Sequence, residues 1–255
     1  MPKKTPTPKQ PDKKFKKITL MIPCYNEEAS IASVIDGIPL EKLKSQGFKI
    51  EVLVIDNNSK DKTAEIARSK GARVISELNQ GKGNAIRTGF NNIPKDVDYV
   101  VMLDGDNTYK PAEILRLIEP LESGFADVIV GSRLEGQMTT HAMSRSHRLA
   151  NWLFTFLTRF IYGANVTDTC TGYFAWTRKS IDILNGNIES KGFAIEAEMI
   201  SKMARLKLRV FSVPITYAPR VGETHSKLSP FKDALKIIWM LIKNRRWKPK
   251  EKKGE

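Results

Sequence analysis

Two aspartates separated by one glycine follow an apolar stretch near the middle of the chain. In VVMLDGDNTYKP, Asp104 and Asp106 come directly after the apolar residues 100–103. Carboxylates this close repel each other unless a cation lies between them or one is protonated. Oxygen ligands of this kind suit Mg²⁺ or Mn²⁺ rather than zinc. The spacing therefore predicts a divalent metal site, and the alternative is a helix cap followed by a solvated turn.

The elements that must position these acids alternate between apolar strand-length runs and longer helical patterns. Such alternation predicts an α/β fold with a Rossmann-like, mostly parallel central sheet flanked by helices. Strands are expected at 18–23, 49–57, 72–77, 98–104 and 126–133, and helices at 26–38, 59–71, 81–93 and 112–122.

Polar motifs fall at the carboxyl ends of three of these strands. They are PCYNEE at 23–28, DNN at 56–58 and DGD at 104–106. Ligands of open parallel sheets bind at that edge, so three acidic clusters there indicate one site. The glycine-rich entry NQGKGNA at 79–85 could face an anion with its free N–H groups and Lys82.

The net charge of +14 is concentrated in two tails. Residues 1–17 carry seven lysines and one aspartate (+6), residues 243–255 carry seven basic and two acidic residues (+5), and +3 remains for residues 18–242. The Pro- and Lys-rich segment 1–17 predicts a disordered basic tail. The balanced body speaks against a nucleic-acid partner. No secretory signal is visible, which favours the cytoplasm, and Cys24 and Cys170 are expected to be reduced, buried thiols.

Five ordered motifs resemble the nucleotide-sugar half of family 2 glycosyltransferases of the GT-A fold: IPCYNEEASI, VLVIDNNSKDKTAEIA, NQGKGNAIRTGF, VVMLDGDNTYKP and VIVGSR. The resemblance covers about residues 18–133. It implies that Asp104 lies by the ribose and the metal and that Asp106 ligates the metal bridging the donor diphosphate. The other implied donor-binding residues are Pro23, Tyr25 and Glu27 around the nucleoside, Asp56 at the base, and Lys82 and Gly83 nearby.

The second half resembles the branch that glycosylates polyprenyl phosphates, notably archaeal-type dolichyl-phosphate hexosyltransferases and dolichyl-phosphate mannose synthases. The motifs are VTDTCTGYFAWTR, KGFAIEAEMISKM and VPITYAPRVGETHSKLSP. By resemblance, Asp168, Arg220, Ser226 and Lys227 belong to the acceptor side. The segment between Arg220 and Ser226 is longer than the family's, which could displace Arg220.

A lipid phosphate is already anionic, so an inverting transfer to it needs positive charge rather than a base. Arg133, Arg145, Arg148 and Arg220 are the candidates, because guanidinium groups bind phosphate oxygens in a bidentate fork. We count Arg133 and Arg220 with the two aspartates as catalytic, and Arg133, Arg148 and Arg220 as acceptor-binding. For a saccharide or protein hydroxyl acceptor, Glu196 or Glu198 would be the base.

The donor is expected to be a UDP-sugar, with GDP-mannose as the alternative. Thr108 stands where mannose synthases often have a metal-holding glutamine. The expected product is a dolichyl-phosphate sugar for protein N-glycosylation or another glycoconjugate.

Membrane contact is expected from two amphipathic segments. Residues 143–163 combine a wide aromatic face with polar residues at helical spacing, and either pack on the sheet or face lipid. Residues 229–255 are predicted as an interfacial helix and basic tail following a glycosyltransferase domain at 18–228. The chain is thus expected on the cytoplasmic face of the membrane as a peripheral protein, and a membrane-embedded partner subunit could cover the helix instead.

Overall fold

The structure is a computed structural model that describes residues 15–140, 142–220 and 230–249. Seven strands form one sheet in the order β3-β2-β1-β4-β6-β5-β7. They are β1 (Lys16–Cys24), β2 (Phe48–Asp56), β3 (Arg73–Ser76), β4 (Tyr99–Met102), β5 (Val128–Ser132), β6 (Phe174–Thr177) and β7 (Val210–Pro214). Only β6 runs antiparallel to its neighbours, β4 and β5. The predicted mostly parallel α/β sheet is confirmed.

Nine α-helices surround the sheet in the described part of the chain. They are α1 (Ile31–Asp36), α2 (Leu40–Ser45), α3 (Thr63–Ser69), α4 (Lys82–Asn91), α5 (Ile114–Glu122), α6 (Arg145–Tyr162), α7 (Arg178–Leu184), α8 (Ile195–Arg205) and α9 (Pro230–Asn244), and a 3₁₀ turn at Pro111–Glu113 precedes α5. None of these described helices combines the length and the apolar composition that crossing a bilayer requires.

Both faces of the sheet are covered by apolar clusters, which explains why β4 and β5 are buried at every residue. Helices α1, α2, α3 and α5 pack on one face, and α4, α7 and α8 pack on the other. A third cluster joins α6, α8 and α9 through Phe154, Ala197, Ile237 and Leu241. One face of α9 therefore packs on the domain.

The predicted helix 26–38 is shorter in the structure, because α1 begins only at Ile31. The preceding backbone is held by the loop after β2 and by the first residue of α3: Asn26 N–H donates to Ser59 Oγ and Glu27 N–H to Thr63 Oγ1. Asn26 also has a positive φ of 53°. At the N-terminus, β1 begins at Lys16, two residues before the predicted position.

Candidate active site

Asp104 and Asp106 lie at the carboxyl edge of the parallel strands, just beyond β4. Both side chains line two neighbouring cavities, of about 330 and 350 Å³. The Asp106 side chain is 4% exposed and that of Asp104 is 23% exposed. The pair therefore faces a cleft, which rules out the solvated-turn alternative.

The glycine between the two acids lies too close to β1 for any side chain. A Cβ at Gly105 would lie 2.6 Å from Cys24 Sγ. Its carbonyl oxygen accepts a hydrogen bond of 2.8 Å from Ser30 Oγ, and Asp106 Oδ1 accepts from both N–H and Oγ1 of Thr108. These contacts fix the turn between the two acids and the direction of the Asp106 carboxylate.

Two basic side chains contact the acid pair. Lys82 Nζ lies 2.7 Å from Asp104 Oδ1 and 2.7 Å from Glu196 Oε1, and Arg220 Nη2 lies 2.8 Å from Asp106 Oδ2. Burial works to lower the pKa of Lys82, but the two carboxylates outweigh it and raise the pKa. Burial likewise opposes the charge of Arg220, and Asp106 and Glu27 raise its pKa. Both residues therefore stay cationic at neutral pH.

The donor atoms at this site fit a hard divalent cation. Asp104 and Asp106 supply carboxylate oxygens only, which suits Mg²⁺ or Mn²⁺. No group of three or more His, Cys, Asp or Glu side chains that could hold a metal occurs within the described ranges. A metal at the pair would therefore need further ligands from a substrate or water, as Mg²⁺ sites commonly do.

Most of the residues predicted to bind the donor line the first cavity, which we call the donor cavity. Pro23, Tyr25, Glu27 and Lys82 line it. Asp56 and Gly83 do not: Asp56 is buried at the end of β2, where its Oδ1 accepts from Ser59 N–H at 3.3 Å, and Gly83 lies inside the first turn of α4.

Several lining residues of the donor cavity were missed by sequence reasoning, namely Asn57, Gln80, Gly81, Gly192 and Phe193. Asn57 Oδ1 accepts from Gly81 N–H at 2.7 Å, and Asn57 Nδ2 donates to the carbonyl oxygen of Asn79. The amide thus holds the glycine-rich entry of α4 against β2. In the sequence, the position of Asn57 beside Asp56 in the motif DNN was the signal that could have identified it.

The second cavity, the acceptor cavity, combines basic and apolar walls. Arg133, Arg220 and Lys82 line it, as do Phe154 of α6 and Ile237 of α9. Nη1 of Arg220 is buried and has no hydrogen-bond partner among the described residues. Arg220 is thus not displaced by the long following segment. A cavity of this composition fits an anionic group attached to an apolar chain.

Arg133 is held in place by a buried network behind the cavity. Its Nε and Nη2 donate to the two oxygens of Asp168 at 2.8 and 2.9 Å, and Asn151 Nδ2 donates to Asp168 Oδ1 at 2.7 Å. The guanidinium lies over the Tyr217 ring at 5.1 Å. Asp168 is fully buried, so it orients Arg133 and does not line the cavity itself.

The other predicted site residues lie elsewhere. Arg145 and Arg148 are exposed on the first turn of α6 and line neither cavity, although His147 of the same turn lines the acceptor cavity. Ser226 and Lys227 lie outside the described residues. Glu198 is fully buried in an ion pair with Lys202, which rules it out as a base, whereas Glu196 lines the acceptor cavity.

Helix α6 exposes a row of large apolar side chains, and its buried side combines polar residues with Phe154 of the third cluster. Asn151, Thr155 and Thr158 are buried, whereas Trp152, Phe156 and Phe160 are 57%, 51% and 79% exposed. The three exposed rings are stacked in a row, with centroids about 6 Å apart. Leu149 and Leu153 extend the exposed face, and on α9 the exposed apolar residues are Leu235, Trp239 and Ile242. Of the two alternatives for the aromatic face of α6, packing on the sheet is therefore wrong.

Comparisons with known proteins agree with this geometry. A family model described as "Glycosyl transferase family 2" matches residues 19–184. The chain is 36% identical to "Glycosyltransferase AglJ" of Haloferax volcanii over 85% of this chain and 68% of that protein. It is 33% identical to a "Dolichyl-phosphate hexose transferase" of the same organism, over 90% and 94% of the two chains.

Among solved structures, the chain resembles glucosyl-3-phosphoglycerate synthase from Mycobacterium tuberculosis in complex with Mn²⁺, UDP-glucose and phosphoglyceric acid. The TM-score is 0.70 at 24% sequence identity, and the likeness covers 90% of this chain and 80% of that one. At this identity the likeness concerns the fold.

Proposed function

Because the chain belongs to glycosyl transferase family 2, we propose that it transfers a hexose from a nucleotide-diphosphate sugar to dolichyl phosphate or a related polyprenyl phosphate. The chain is a glycosyltransferase with the GT-A fold, and the proposal concerns its substrates and mechanism. A UDP-sugar is the favoured donor and GDP-mannose the alternative. The similarity to a dolichyl-phosphate hexose transferase supports the acceptor class.

One observation carries the proposal: the acid pair lies where two cavities meet, and the acceptor cavity joins cations to an apolar wall. Arg133 and Arg220 suit phosphate oxygens, while Phe154 and Ile237 suit an isoprenoid chain. A soluble sugar acceptor would need hydrogen-bonding side chains where these apolar residues lie.

In the proposed reaction, an oxygen of the lipid phosphate attacks the anomeric carbon on the face opposite the nucleotide diphosphate. The new carbon–oxygen bond forms as the bond to the diphosphate breaks, so the configuration inverts. Arg133 and Arg220 hold the attacking phosphate, and Lys82 places positive charge beside the departing diphosphate. Asp104 and Asp106 would hold a Mg²⁺ or Mn²⁺ ion, which when bound would supply the charge that neutralises the leaving group.

The proposed site of action is the cytoplasmic face of the membrane. The exposed apolar faces of α6 and α9 support a peripheral association, because both helices also line the acceptor cavity. Interfacial helices with aromatic and basic residues bind at the headgroup boundary in this way. A membrane-embedded partner subunit covering the same faces is the alternative.

A transfer assay tests this proposal. The protein with MnCl₂ or MgCl₂ is incubated with dolichyl phosphate and radiolabelled UDP-glucose, UDP-N-acetylglucosamine or GDP-mannose, and label in the lipid fraction is measured. We expect one donor to label the lipid. Arg133→Lys keeps a charge opposite the buried Asp168 but loses the bidentate guanidinium, and we expect it to raise the KM for dolichyl phosphate by about tenfold. Label appearing only on saccharide or protein acceptors would overturn the proposal.

A further inference from the structure

Residues 187–193, which we call the strap, connect α7 to α8 and end at the donor cavity. Gly192 and Phe193 line that cavity, and Phe193 lines the acceptor cavity as well. The strap therefore reaches the point where the two cavities meet.

On one side the strap is fixed to the start of α4, the helix that carries Lys82. Gly83 N–H donates to the Lys191 carbonyl oxygen at 3.0 Å, and Arg87 Nη1 donates to that of Glu189 at 3.0 Å. A Cβ at Gly83 would overlap the Ser190 carbonyl oxygen, so the two backbones are in direct contact. A shift of the strap would therefore move the first turn of α4, and Lys82 with it.

On the other side the strap is fixed to α8 by a buried ion pair. Glu198 Oε1 and Oε2 accept from the N–H groups of Glu189 and Ser190 at 2.9 and 2.7 Å. Lys202 Nζ lies 2.6 Å from Glu198 Oε1 and donates to the Asn187 carbonyl oxygen at 2.5 Å. Both side chains are almost completely buried. Buried charges are tolerated only when they are paired and hydrogen-bonded, and here the strap backbone supplies those bonds.

The C-terminal end of α9 completes this arrangement. The Trp247 ring covers Lys202 Nζ at 5.0 Å from its centroid, and Lys243 Nζ lies 3.1 Å from Glu189 of the strap. Neither Glu198 nor Lys202 lines either cavity. Their influence on the site must therefore pass through the strap.

We propose that Glu198 is a positioning residue for donor binding, which with Lys202 fixes the strap and through it Lys82 and Phe193. The inference rests on the proposed function in one respect, which is that the donor cavity binds the nucleotide. Misplacement of binding groups by about 1 Å can cost up to about 100-fold in rate, so a loosened strap has a measurable effect.

The test replaces both charges, because removal of one alone would leave a buried unpaired charge. In Glu198→Met/Lys202→Met the packing volume is kept, but the strap loses its side-chain partners on α8. Binding of UDP and of GDP in the presence of MnCl₂ is measured by calorimetry on the full chain. We expect the Kd of the preferred nucleotide to rise about tenfold, and kcat to fall as well, because Lys82 also lies beside the departing diphosphate.

A matched control separates positioning from general destabilisation. Met199→Ala removes a buried side chain from the same helix without removing a hydrogen bond to the strap. It should lower the thermal midpoint and leave the nucleotide Kd unchanged. Wild-type affinity in the double variant, or an equal loss of affinity in Met199→Ala, would overturn the inference alone. Failure of the wild-type protein to bind either nucleotide would overturn the proposed donor and this inference together.

Discussion

At the scale of single residues, Asp106 contacts Arg220 and is the metal ligand that we propose. We expect Asp106→Ala to lower transfer by about 100-fold or more, because a bound divalent ion contributes several kcal/mol to stabilising the leaving charge. Mn²⁺ binding, followed by electron paramagnetic resonance with UDP present, should be lost in the same variant. Asp36→Ala, at an exposed aspartate on α1, serves as the control. Full activity of Asp106→Ala in the presence of EDTA would show that the metal role is wrong.

Glu196 distinguishes the two classes of acceptor. Burial raises its pKa and Lys82 opposes that effect, so the side chain has one of the properties of a base. With a phosphate acceptor no base is required, and Glu196→Gln should lower kcat by about tenfold or less through its contact with Lys82. With a hydroxyl acceptor the loss should be about 10²–10⁴-fold, the usual contribution of a general base. The kcat of the variant, measured over pH 6–9, decides between them.

Sequence reasoning located the charged residues whose side-chain type by itself indicates a chemical role. Asp104, Asp106, Lys82, Arg133 and Arg220 all line the cavities, and their roles there stay predictions. It failed where a role depends on packing direction: Asp168 lies behind Arg133, and Asn57 lines the cavity in place of Asp56. One position along a strand end decides which side chain faces the cleft, and spacing alone does not fix that.

At the scale of elements, α6 leaves a row of stacked aromatic side chains exposed. We expect Trp152→Ser/Phe156→Ser to weaken binding to liposomes by about tenfold or more, because each half-exposed ring contributes about 1 kcal/mol when it enters lipid. Thermal stability should hardly change, since both rings are already exposed. Leu40→Ser, at a similarly exposed apolar residue on α2, is the control for sedimentation with vesicles.

Unchanged vesicle binding in the α6 variant would contradict this prediction. If the variant instead changed only the oligomeric state, the aromatic row would be a protein interface.

The strands of the donor half were predictable because each is an apolar run followed by a polar motif. Predicted and observed bounds differ by two residues or fewer at each end of the first five strands. Strands β6 and β7 were not assigned, since FAWT and VFSVP are short and follow no comparable signal. The antiparallel direction of β6 depends on pairing with β4 and β5, which a local pattern does not encode.

At the scale of the whole molecule, the basic residues after α9 lie next to its exposed apolar stripe. We expect Arg245→Gln/Arg246→Gln/Lys248→Gln to weaken binding to phosphatidylserine vesicles by about 1 kcal/mol per charge removed, with less sensitivity to salt than the wild type. Sedimentation at low and high salt measures both effects. Point substitutions are preferable to truncation, because deleting α9 would expose the cluster around Ile237 and Leu241.

The control for this experiment is removal of residues 1–14, which precede β1 and should leave sugar transfer nearly intact. Equal loss of vesicle binding in that truncation would show that any cationic tail suffices. The experiment is needed because the two tails carry similar charge, and the charge distribution alone does not tell which tail binds the membrane.

The reversed direction of β6 has a consequence for how such enzymes diversify. Because β5 ends and β6 begins at the same edge of the sheet, the stretch 133–173 leaves and re-enters the fold at one place. That stretch carries Arg133, Asp168 and the whole of α6, so we expect it to be exchangeable as one unit. Grafting the corresponding stretch of another transferase between Ser132 and Phe174 should change the acceptor that the enzyme uses. The preference for the nucleotide of the donor should stay the same.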